Sequence, residues 1–416
     1  MDYFNRNSLN QLCCEDLHLK DIAQTHSTPT YIYSKKTLTR HCSVLAAAAK
    51  NHGGMVCFAV KANSNLSLLK EIFSHDIGAD VVSMGEVKKS LAAGVSPQKI
   101  IYSGVGKTAE ELEFAIQTGL FSINVESVFE IKMIAEIAQK IQKNVRIALR
   151  INPNVFAQTN PKIATGMYNS KFGIIEDDLP QILSLIEQSK GLQLNGIACH
   201  IGSQICDIEP FAQATQHMTK VAQKLRSKNF PIEFVDMGGG LGVVYDNEKP
   251  PPLEDYVNCV MKPVRDIGLQ PVIEIGRALI ANVGGIITKI VGIKKTPVKN
   301  FVVVDAAMTE LMRPTLYNAK HRIEAVKEPG DQTMKVDVVG PVCESGDYLA
   351  KEITVPADLQ AGDYLLVRGC GAYAEAMGHN YNLRPLAQSI LVDGSNMTVV
   401  RQKQNYQQMW QLEELS

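Results

Sequence analysis

The sequence predicts an α/β protein that consists of a (β/α)8 TIM-like barrel and a mostly antiparallel β domain. Three observations predict this fold class. Short apolar runs alternate with amphipathic stretches eight times between residues 55 and 275, which is typical of a parallel sheet covered by helices. Eight such units fit a closed barrel, whereas a doubly wound sheet more often has about five to seven strands. No glycine-rich dinucleotide motif follows the first apolar run, which weighs against a Rossmann domain.

The composition is that of an ordinary globular protein with room for two domains. The chain has 416 residues, of which 45% are hydrophobic, and its formal net charge is -1. We therefore expect no nucleic acid and no membrane surface among its partners. The nine cysteines lack the spacing of a metal site, so we expect free thiols, no metal and a cytoplasmic location. The polar N-terminus predicts no secretory signal, and the apolar run at 279–293 is too broken to span a membrane.

The first elements precede the barrel. Residues 1–29 carry no strong pattern, and the β-branched and aromatic residues at 30–33 predict a strand. Ser34 is a plausible N-cap for a helix that extends to about residue 50. The strand at 30–33 could join the later β domain, so we expect residues 1–33 to belong to that domain. The barrel at 34–277 would then be inserted into it, with the remainder at 278–416.

The barrel elements follow in regular alternation. The predicted strands are 55–60, 79–83, 99–103, 121–125, 145–151, 195–200, 232–237 and 271–275. The predicted helices between them are 66–75, 85–94, 108–118, 127–142, 177–189, 207–229 and 253–267. Ser83 precedes Glu86 and Thr108 precedes Glu111 at the spacing of a capping box, which supports two of the helix starts.

The pattern changes after Gly276. Short β-branched runs are separated by turn signals such as Glu328-Pro329-Gly330, which predicts a mostly antiparallel β domain. The predicted strands are 286–293, 301–305, 335–339, 353–355, 364–368, 389–392 and 397–401. The polar tail from Gln402 is consistent with a frayed helix.

Polar residues lie at the carboxyl-terminal ends of five of the predicted barrel strands, where such barrels carry their active sites. They are Lys61, Arg150 with Asn152, His200, Asp236 and Glu274. A lysine that ends an apolar strand is costly to desolvate unless it is paired, covalently bonded or in a cleft, and a desolvated amine is a good nucleophile. The alternatives are a surface lysine at position 61 and a hydrogen-bonded core histidine at position 200.

A glycine triplet, Gly238-Gly239-Gly240, follows the seventh strand, where many barrels bind phosphate. Gly276 and Ser203 could complete an anion site, and the alternative is a flexible loop. A phosphate site, a strand-end lysine and an acid on the eighth strand together suit pyridoxal 5'-phosphate. Lys61 would carry the aldehyde as an imine and Glu274 would keep the pyridine nitrogen protonated, while His200 would lie against the ring.

Several motifs in a fixed order identify a family that the chain resembles. They are FAVKAN at 58–63, YSGVGKT at 102–108, HIGSQ at 200–204, DMGGG at 236–240, MRPTLY at 312–317, GPVCESGD at 340–347, GAY at 371–373 and NYN at 380–382. Over about residues 28–400 the chain resembles the barrel-type (fold-type III) pyridoxal-phosphate decarboxylases and racemases, and this resemblance implies an alanine-racemase-like C-terminal domain. Within that group it resembles the diaminopimelate decarboxylases.

The resemblance implies roles for individual residues. Lys61 bonds the cofactor covalently, and Cys343 is the proton donor. The residues implied in cofactor binding are Lys61, His200, Ser203, Gly238, Gly239, Gly240, Glu274, Gly276, Arg277 and Tyr373. The residues implied in substrate binding are Arg277, Arg313, Tyr317, Glu344 and Tyr373. The family also implies a homodimer with shared active sites, in which Cys343 and Glu344 reach the barrel of the other subunit.

The implied activity is the decarboxylation of meso-2,6-diaminopimelate to L-lysine and CO2, the last step of lysine biosynthesis. Two arginines can bind carboxylates through paired N–H groups, and Glu344 can bind a distal ammonium. The nearest alternatives are decarboxylases of ornithine, arginine or carboxynorspermidine, although the motifs at 200–204 and 343–345 favour diaminopimelate. A racemase would have no use for Cys343 and Glu344. A non-catalytic regulatory relative would tend to lack Lys61, Glu274 and the glycines.

Four positions depart from the family pattern and bear on substrate preference. Ile275 replaces the usual proline, Asn160 stands where histidine is frequent, and Gly378-His379 replaces a serine pair. The connection at 152–172 is long for a barrel loop, and we hypothesise that it closes over substrate as a lid.

Overall fold

The computed structural model describes residues 2–156 and 171–415, which form two compact units. The barrel unit comprises His41–Val244 and Glu248–Ala278, and the β unit comprises Met1–Arg40, Tyr245–Asn247 and Leu279–Ser416. The domain bounds expected after residues 33 and 277 stay a prediction, since compactness alone does not define an independently folding domain. The lid hypothesis and Asn160 rest on residues 157–170, which lie outside the described residues.

The chain begins in the β unit with a small antiparallel sheet that the sequence analysis missed. The sheet consists of β1 (Phe4–Arg6), β2 (Leu12–Cys14) and β3 (Leu17–His18), and the helix α1 (Leu19–Thr25) follows it. These strands are too short to show an alternating pattern, which is why they were missed. They bury Phe4, Leu12 and Ile22 in one apolar cluster with Ile32 and Ile390 of the main sheet. The next elements are β4 (Thr30–Ser34) and α2 (Lys35–Lys50).

The barrel unit contains eight parallel strands in a closed sheet, which confirms the predicted barrel. They are β5 (Met55–Ala59), β6 (Gly78–Val81), β7 (Ile100–Tyr102), β8 (Ser122–Val125), β9 (Val145–Arg150), β10 (Leu192–Ala198), β11 (Phe234–Asp236) and β12 (Gln270–Ile275). The helices are α3 (Leu66–Phe73), α4 (Met84–Ala92), α5 (Ala109–Thr118), α6 (Val128–Ile141), α7 (Leu179–Gln188), α8 (Glu209–Ser227) and α9 (Leu253–Asp266). Closure is direct, because β5 pairs in parallel with both β6 and β12.

Local sequence explains why these elements start and pack where they do. The side chain of Ser83 accepts the Glu86 N–H at the start of α4, and Thr108 and Glu111 form the predicted capping box of α5. Part of the barrel interior is an apolar cluster that includes Met55 and Phe234. Gly196 makes room for the Phe234 ring, since a Cβ there would lie 2.3 Å from a ring carbon.

The β unit is built on a nine-stranded, mostly antiparallel sheet, as predicted. After α10 (Arg277–Ile280), its strands are β13 (Gly284–Lys295), β14 (Asn300–Val304), β15 (Ile323–Ala325), β16 (Thr333–Val339), β17 (Tyr348–Pro356), β18 (Tyr364–Val367), β19 (Gln388–Asp393) and β20 (Asn396–Arg401). The parallel pairs are β14 with β16 and β4 with β19. Thus β4, which precedes the barrel, lies between β13 and β19. Two short helices complete the unit, α11 (Arg313–Tyr317) and α12 (Gln407–Trp410).

None of the helices within the described ranges has the length and hydropathy that crossing a membrane requires. All nine cysteines are free thiols, as expected from their spacing.

Candidate active site

Polar side chains line the carboxyl-terminal end of the barrel strands. Asp80 on β6, Asn124 on β8 and Asp236 on β11 are at most 1% exposed, and Glu274 on β12 is 7% exposed. Burying carboxylates and amides in a closed barrel costs free energy unless they are hydrogen-bonded, paired with a charge or in contact with a ligand. Their position is the end of the barrel at which such folds carry out chemistry.

Lys61 lies on a single 3-10 turn, Val60–Ala62, immediately after β5. Val60 and Ala62 are buried and anchor the turn, while the Lys61 side chain is 37% exposed. Its Nζ donates to Oδ2 of Asp80 at 2.8 Å, and the Asp80 side chain is fully buried. The turn after β5 therefore carries an amine that a ligand can reach, and the buried Asp80 carboxylate fixes the position of this amine. Asp80 could not be singled out from the sequence, where its only signal is a lone acid inside the short run Gly78–Val81.

Asp236 and Glu274 form a hydrogen-bonded pair of buried carboxyls. Burial raises the pKa of Asp236 to about 6. Burial, followed by the neighbouring Asp236 charge, raises the pKa of Glu274 well above its usual range. The side chain of Asp236 also accepts the Gly238 N–H at 2.9 Å and the Asn124 amide at 3.2 Å. Burial and the Asp236 charge thus favour the protonated form of Glu274, whereas a cation beside it, such as a protonated ring nitrogen, would favour the ionised form.

His200 follows β10 by two residues and is a neutral ring. The Gly239 N–H donates to its Nδ1 at 3.2 Å, so Nδ1 is the unprotonated nitrogen and Nε2 carries the hydrogen. Burial lowers the pKa of His200 well below its usual value, and the charges of Arg150 and Lys61 lower it further. A neutral, fixed imidazole of this kind can stack against a flat ligand ring.

The glycine triplet is required by close backbone packing between the ends of β10, β11 and β12. A Cβ on Gly239 would lie 1.9 Å from the Glu274 carbonyl oxygen, and one on Gly238 would lie 2.4 Å from the Cys199 carbonyl oxygen. A Cβ on Gly240 would lie 2.4 Å from the Gly202 carbonyl oxygen, and its φ of +109° also favours glycine. The absence of side chains leaves a backbone-lined cradle beside His200.

Ser203 and Arg277 meet within the barrel unit. Nη2 of Arg277 donates to the Ser203 hydroxyl at 3.0 Å, and Arg277 is 7% exposed at the start of α10. Gly276 lies directly between Glu274-Ile275 of β12 and this arginine. A hydroxyl, a guanidinium and glycine N–H groups are the donors that bind phosphate oxygens.

A buried ion pair, which the sequence analysis did not predict, holds Arg150 at the end of β9. Nη1 of Arg150 donates to Oε1 of Glu126 at 2.9 Å, and the Glu126 side chain is 1% exposed. The same carboxylate accepts the N–H groups of Gly104 and Gly173, both at 3.0 Å. Glu126 therefore ties three connections at this end of the barrel to one another.

The remaining predicted residues belong to the β unit. Arg313 begins α11 and is 5% exposed, while Tyr317 ends this helix and is half-buried. Cys343 and Glu344 are exposed on the loop after β16, and Tyr373 adopts a φ of +56°. Their assignment to one site with the barrel residues remains a prediction.

The barrel residues fit pyridoxal phosphate by their chemistry. They comprise the partly exposed Lys61 amine and a cradle of glycines, whose backbone side chains would otherwise cover. They also include donors suited to phosphate, Ser203 and Arg277, and the buried Glu274 carboxyl, whose ionised form a cation would favour. No group of three His, Cys, Asp or Glu side chains suited to a metal occurs within residues 2–156 and 171–415.

Comparisons with known proteins agree with this chemistry. The family model described as pyridoxal-dependent decarboxylase, pyridoxal binding domain, matches residues 36–281. A diaminopimelate decarboxylase of Vibrio cholerae is 40% identical and covers 99% of both chains. The crystal structure of diaminopimelate decarboxylase from Helicobacter pylori with L-lysine has a TM-score of 0.91 at 38% identity, covering 95% of this chain and 98% of that one. The corresponding structure from M. jannaschii has a TM-score of 0.94 at 29% identity, covering 100% and 99%.

The fold and the site thus define a barrel-type pyridoxal-dependent decarboxylase. Within that class, the identity over nearly the full length shows that the chain belongs to the diaminopimelate decarboxylase family.

Proposed function

We propose that the chain catalyses the pyridoxal-phosphate-dependent decarboxylation of meso-2,6-diaminopimelate to L-lysine and CO2, the last step of lysine biosynthesis. The observation that carries the proposal is the Lys61 amine, which lies at a barrel strand end 2.8 Å from the buried Asp80 carboxylate. Family membership over nearly the whole chain supports the substrate.

We propose that Lys61 supplies the amine to which the cofactor bonds, with Asp80 holding it in place. Ser203, Gly238, Gly239, Gly240, Gly276, Arg277 and Tyr373 would bind the phosphate. His200 would lie with the flat face of its neutral ring against the cofactor ring, and Glu274 would pair with the protonated ring nitrogen. When bound, pyridoxal phosphate supplies an electron sink for the pair left by the departing CO2.

The substrate has two carboxylates and two ammonium groups, and the proposed binding residues match these charges. Arg277 and Arg313 would bind carboxylates through paired N–H groups, with Tyr317 and Tyr373 adding hydrogen bonds. Glu344 would bind the distal ammonium. Cys343 would donate the proton that replaces the carboxylate, since a thiol can act as a general acid.

The direct test supplies meso-diaminopimelate and pyridoxal phosphate and measures L-lysine and CO2. Ornithine, arginine and carboxynorspermidine serve as competing substrates, and faster CO2 release from any of them would overturn the substrate assignment. Lys61→Ala should lower turnover by at least about a thousand-fold, because no other amine can replace the nucleophile. It should also abolish the cofactor adduct that borohydride fixes on the chain, as measured by peptide mass. Lys99→Ala, which removes an exposed ion pair with Asp76, is the matched control and should retain both wild-type turnover and the cofactor adduct.

We further propose a homodimer with shared active sites, in which Cys343 and Glu344 act in the site of a second copy. The exposure of both side chains supports this arrangement. In a heterodimer of Lys61→Ala and Cys343→Ala chains, one site would contain both lesions and the other would contain neither. An equal mixture of the two inactive variants, refolded together, should therefore recover about a quarter of wild-type activity. Recovery of no activity from verified heterodimers would contradict shared sites.

A further inference from the structure

The β unit contains a buried polar cluster in which Arg313 contacts two side chains, Tyr245 and His321, that no motif indicated. Nη1 of Arg313 lies 2.7 Å from Nε2 of His321, and the guanidinium carbon lies 4.2 Å from the centre of the Tyr245 ring. The Tyr245 and His321 rings are 5.0 Å apart with an interplanar angle of 62°. Arg313 and His321 are each 5% exposed and Tyr245 is 6% exposed. Two ring side chains therefore fix the arginine from two directions.

The contacts of His321 determine its protonation pattern. Its Nδ1 lies 2.8 Å from the backbone carbonyl oxygen of Arg368. A carbonyl oxygen only accepts hydrogen bonds, so Nδ1 must carry the hydrogen. A guanidinium only donates, so Nε2 must be unprotonated and accept from Arg313. Both contacts are satisfied only by the neutral imidazole with its hydrogen on Nδ1.

The contacts of His321 with Arg313 disfavour a protonated, positively charged imidazole at this position. A second ring hydrogen on Nε2 would oppose the Arg313 N–H groups, and the added charge would repel the guanidinium. Among the described residues, the titratable groups that also contact the ring include the Tyr245 side chain and the Cys370 thiol, whose Sγ lies 3.9 Å from Nδ1. The hydrogen bond from the neutral ring orients Arg313 without supplying a negative charge, so this contact leaves the cationic charge for an anionic ligand.

We propose that His321 is a positioning residue that, as the neutral Nδ1–H tautomer, orients the Arg313 guanidinium to bind a carboxylate of the substrate. This inference rests on the proposed function, in which Arg313 binds substrate. His321 itself acts only through Arg313 and is not a catalytic residue.

Two amide substitutions separate positioning from mere structural support. In His321→Gln, the longer side chain brings a carboxamide oxygen to the Nε2 position, where it can accept from Arg313. In His321→Asn, the shorter amide can still donate to the Arg368 carbonyl but does not reach Arg313. We expect His321→Asn to raise KM for diaminopimelate about 10- to 100-fold with kcat within about threefold, the effect of losing one hydrogen bond to a charged group. His321→Gln should keep KM within about threefold of wild type. His75→Gln, in the barrel unit, is the matched control.

The tautomer gives a second readout that does not need turnover. In protein with ¹⁵N-labelled histidine, the signals lost in His321→Gln belong to His321. We expect one protonated nitrogen at Nδ1 and one unprotonated nitrogen at Nε2. The opposite tautomer, an imidazolium, or an unchanged KM in folded His321→Asn would each overturn the inference. A wild-type chain that releases no lysine from diaminopimelate would instead refute the proposed function, so the two failures are distinct.

Discussion

Asn382 is a single residue that holds the proposed proton donor. Its Oδ1 accepts the Cys343 N–H at 2.8 Å, and its own backbone adopts a left-handed φ of +56°. Asparagine is one of the few residues that tolerate this conformation and can also accept a hydrogen bond from nearby backbone. Asp347 fixes the other side of the loop by accepting the N–H groups of Val342 and Met308, both at 2.7 Å.

We expect the Asn382 acceptor to be needed for placing the Cys343 thiol. Asn382→Gly keeps the left-handed backbone but removes the acceptor, and should lower kcat about 10-fold by loosening the loop. Asn382→Asp keeps the acceptor and should stay within about threefold of wild type. Steady-state kinetics of lysine formation measure both. A glycine variant with wild-type kcat would mean that only the backbone conformation matters at this position.

Residues at strand ends were predictable, whereas their partners were not. Lys61, His200 and Glu274 stand out because local apolar runs reveal where barrel strands end. Asp80, Glu126 and His321 are defined by contacts with residues that the sequence does not place beside them. Lys61 and Asp80, for example, meet only because β5 and β6 are adjacent and parallel. The individual site roles inferred from the family remain predictions.

At the scale of elements, the connection after β11 is a packing device as well as a proposed phosphate cradle. The Gly239 N–H fixes His200, and its Cα lies against the Glu274 carbonyl of β12. One glycine therefore sets the spacing between the two strand ends that carry His200 and Glu274. The sequence predicted that the glycine triplet lets an anion approach the backbone. The contacts in the structure show that close packing against neighbouring protein backbone also requires these glycines.

We expect Gly239→Ala to separate these strand ends and weaken cofactor binding at least about 10-fold. The added Cβ would lie 1.9 Å from a backbone oxygen, which cannot move away as a flexible side chain could. Gly106→Ala is the matched control, because no atom lies within 4 Å of a Cβ at that barrel connection. Fluorescence titration with pyridoxal phosphate measures both affinities. Equal affinities would show that the connection adapts to a side chain.

Element positions followed from the sequence to within a few residues, with understandable exceptions. The predicted strand at 195–200 is Leu192–Ala198 in the structure, because the apolar run continues through Cys199 up to His200, whereas both residues belong to the following connection. The sheet order of the β unit could not be predicted. It depends on pairings such as β4 with β19, which join residues more than 350 positions apart.

At the scale of the whole molecule, buried carboxyls occur in both units of the described chain, and one in the β unit, Glu310, has a clear pH signature. Glu310 is 3% exposed, and its Oε2 accepts the Ala307 N–H at 2.8 Å and the Thr309 hydroxyl at 2.9 Å. Burial raises the pKa of Glu310 from its ordinary value of 4.5 to about 7. The folded chain therefore holds this proton more tightly than the unfolded chain does.

The sign of the pH effect follows from this difference. The stability that protonated Glu310 contributes is complete below about pH 4.5 and is lost as the pH rises through about 7. Ionisation at pH 8 thus costs on the order of 3 kcal/mol. Glu310→Gln cannot ionise and can keep both hydrogen bonds, so its free energy of unfolding relative to wild type should increase by about that amount from pH 5 to pH 8. Urea unfolding at the two pH values measures this, with exposed Glu413→Gln as the control. An equal difference from wild type at both pH values would contradict a protonated Glu310 in the folded chain.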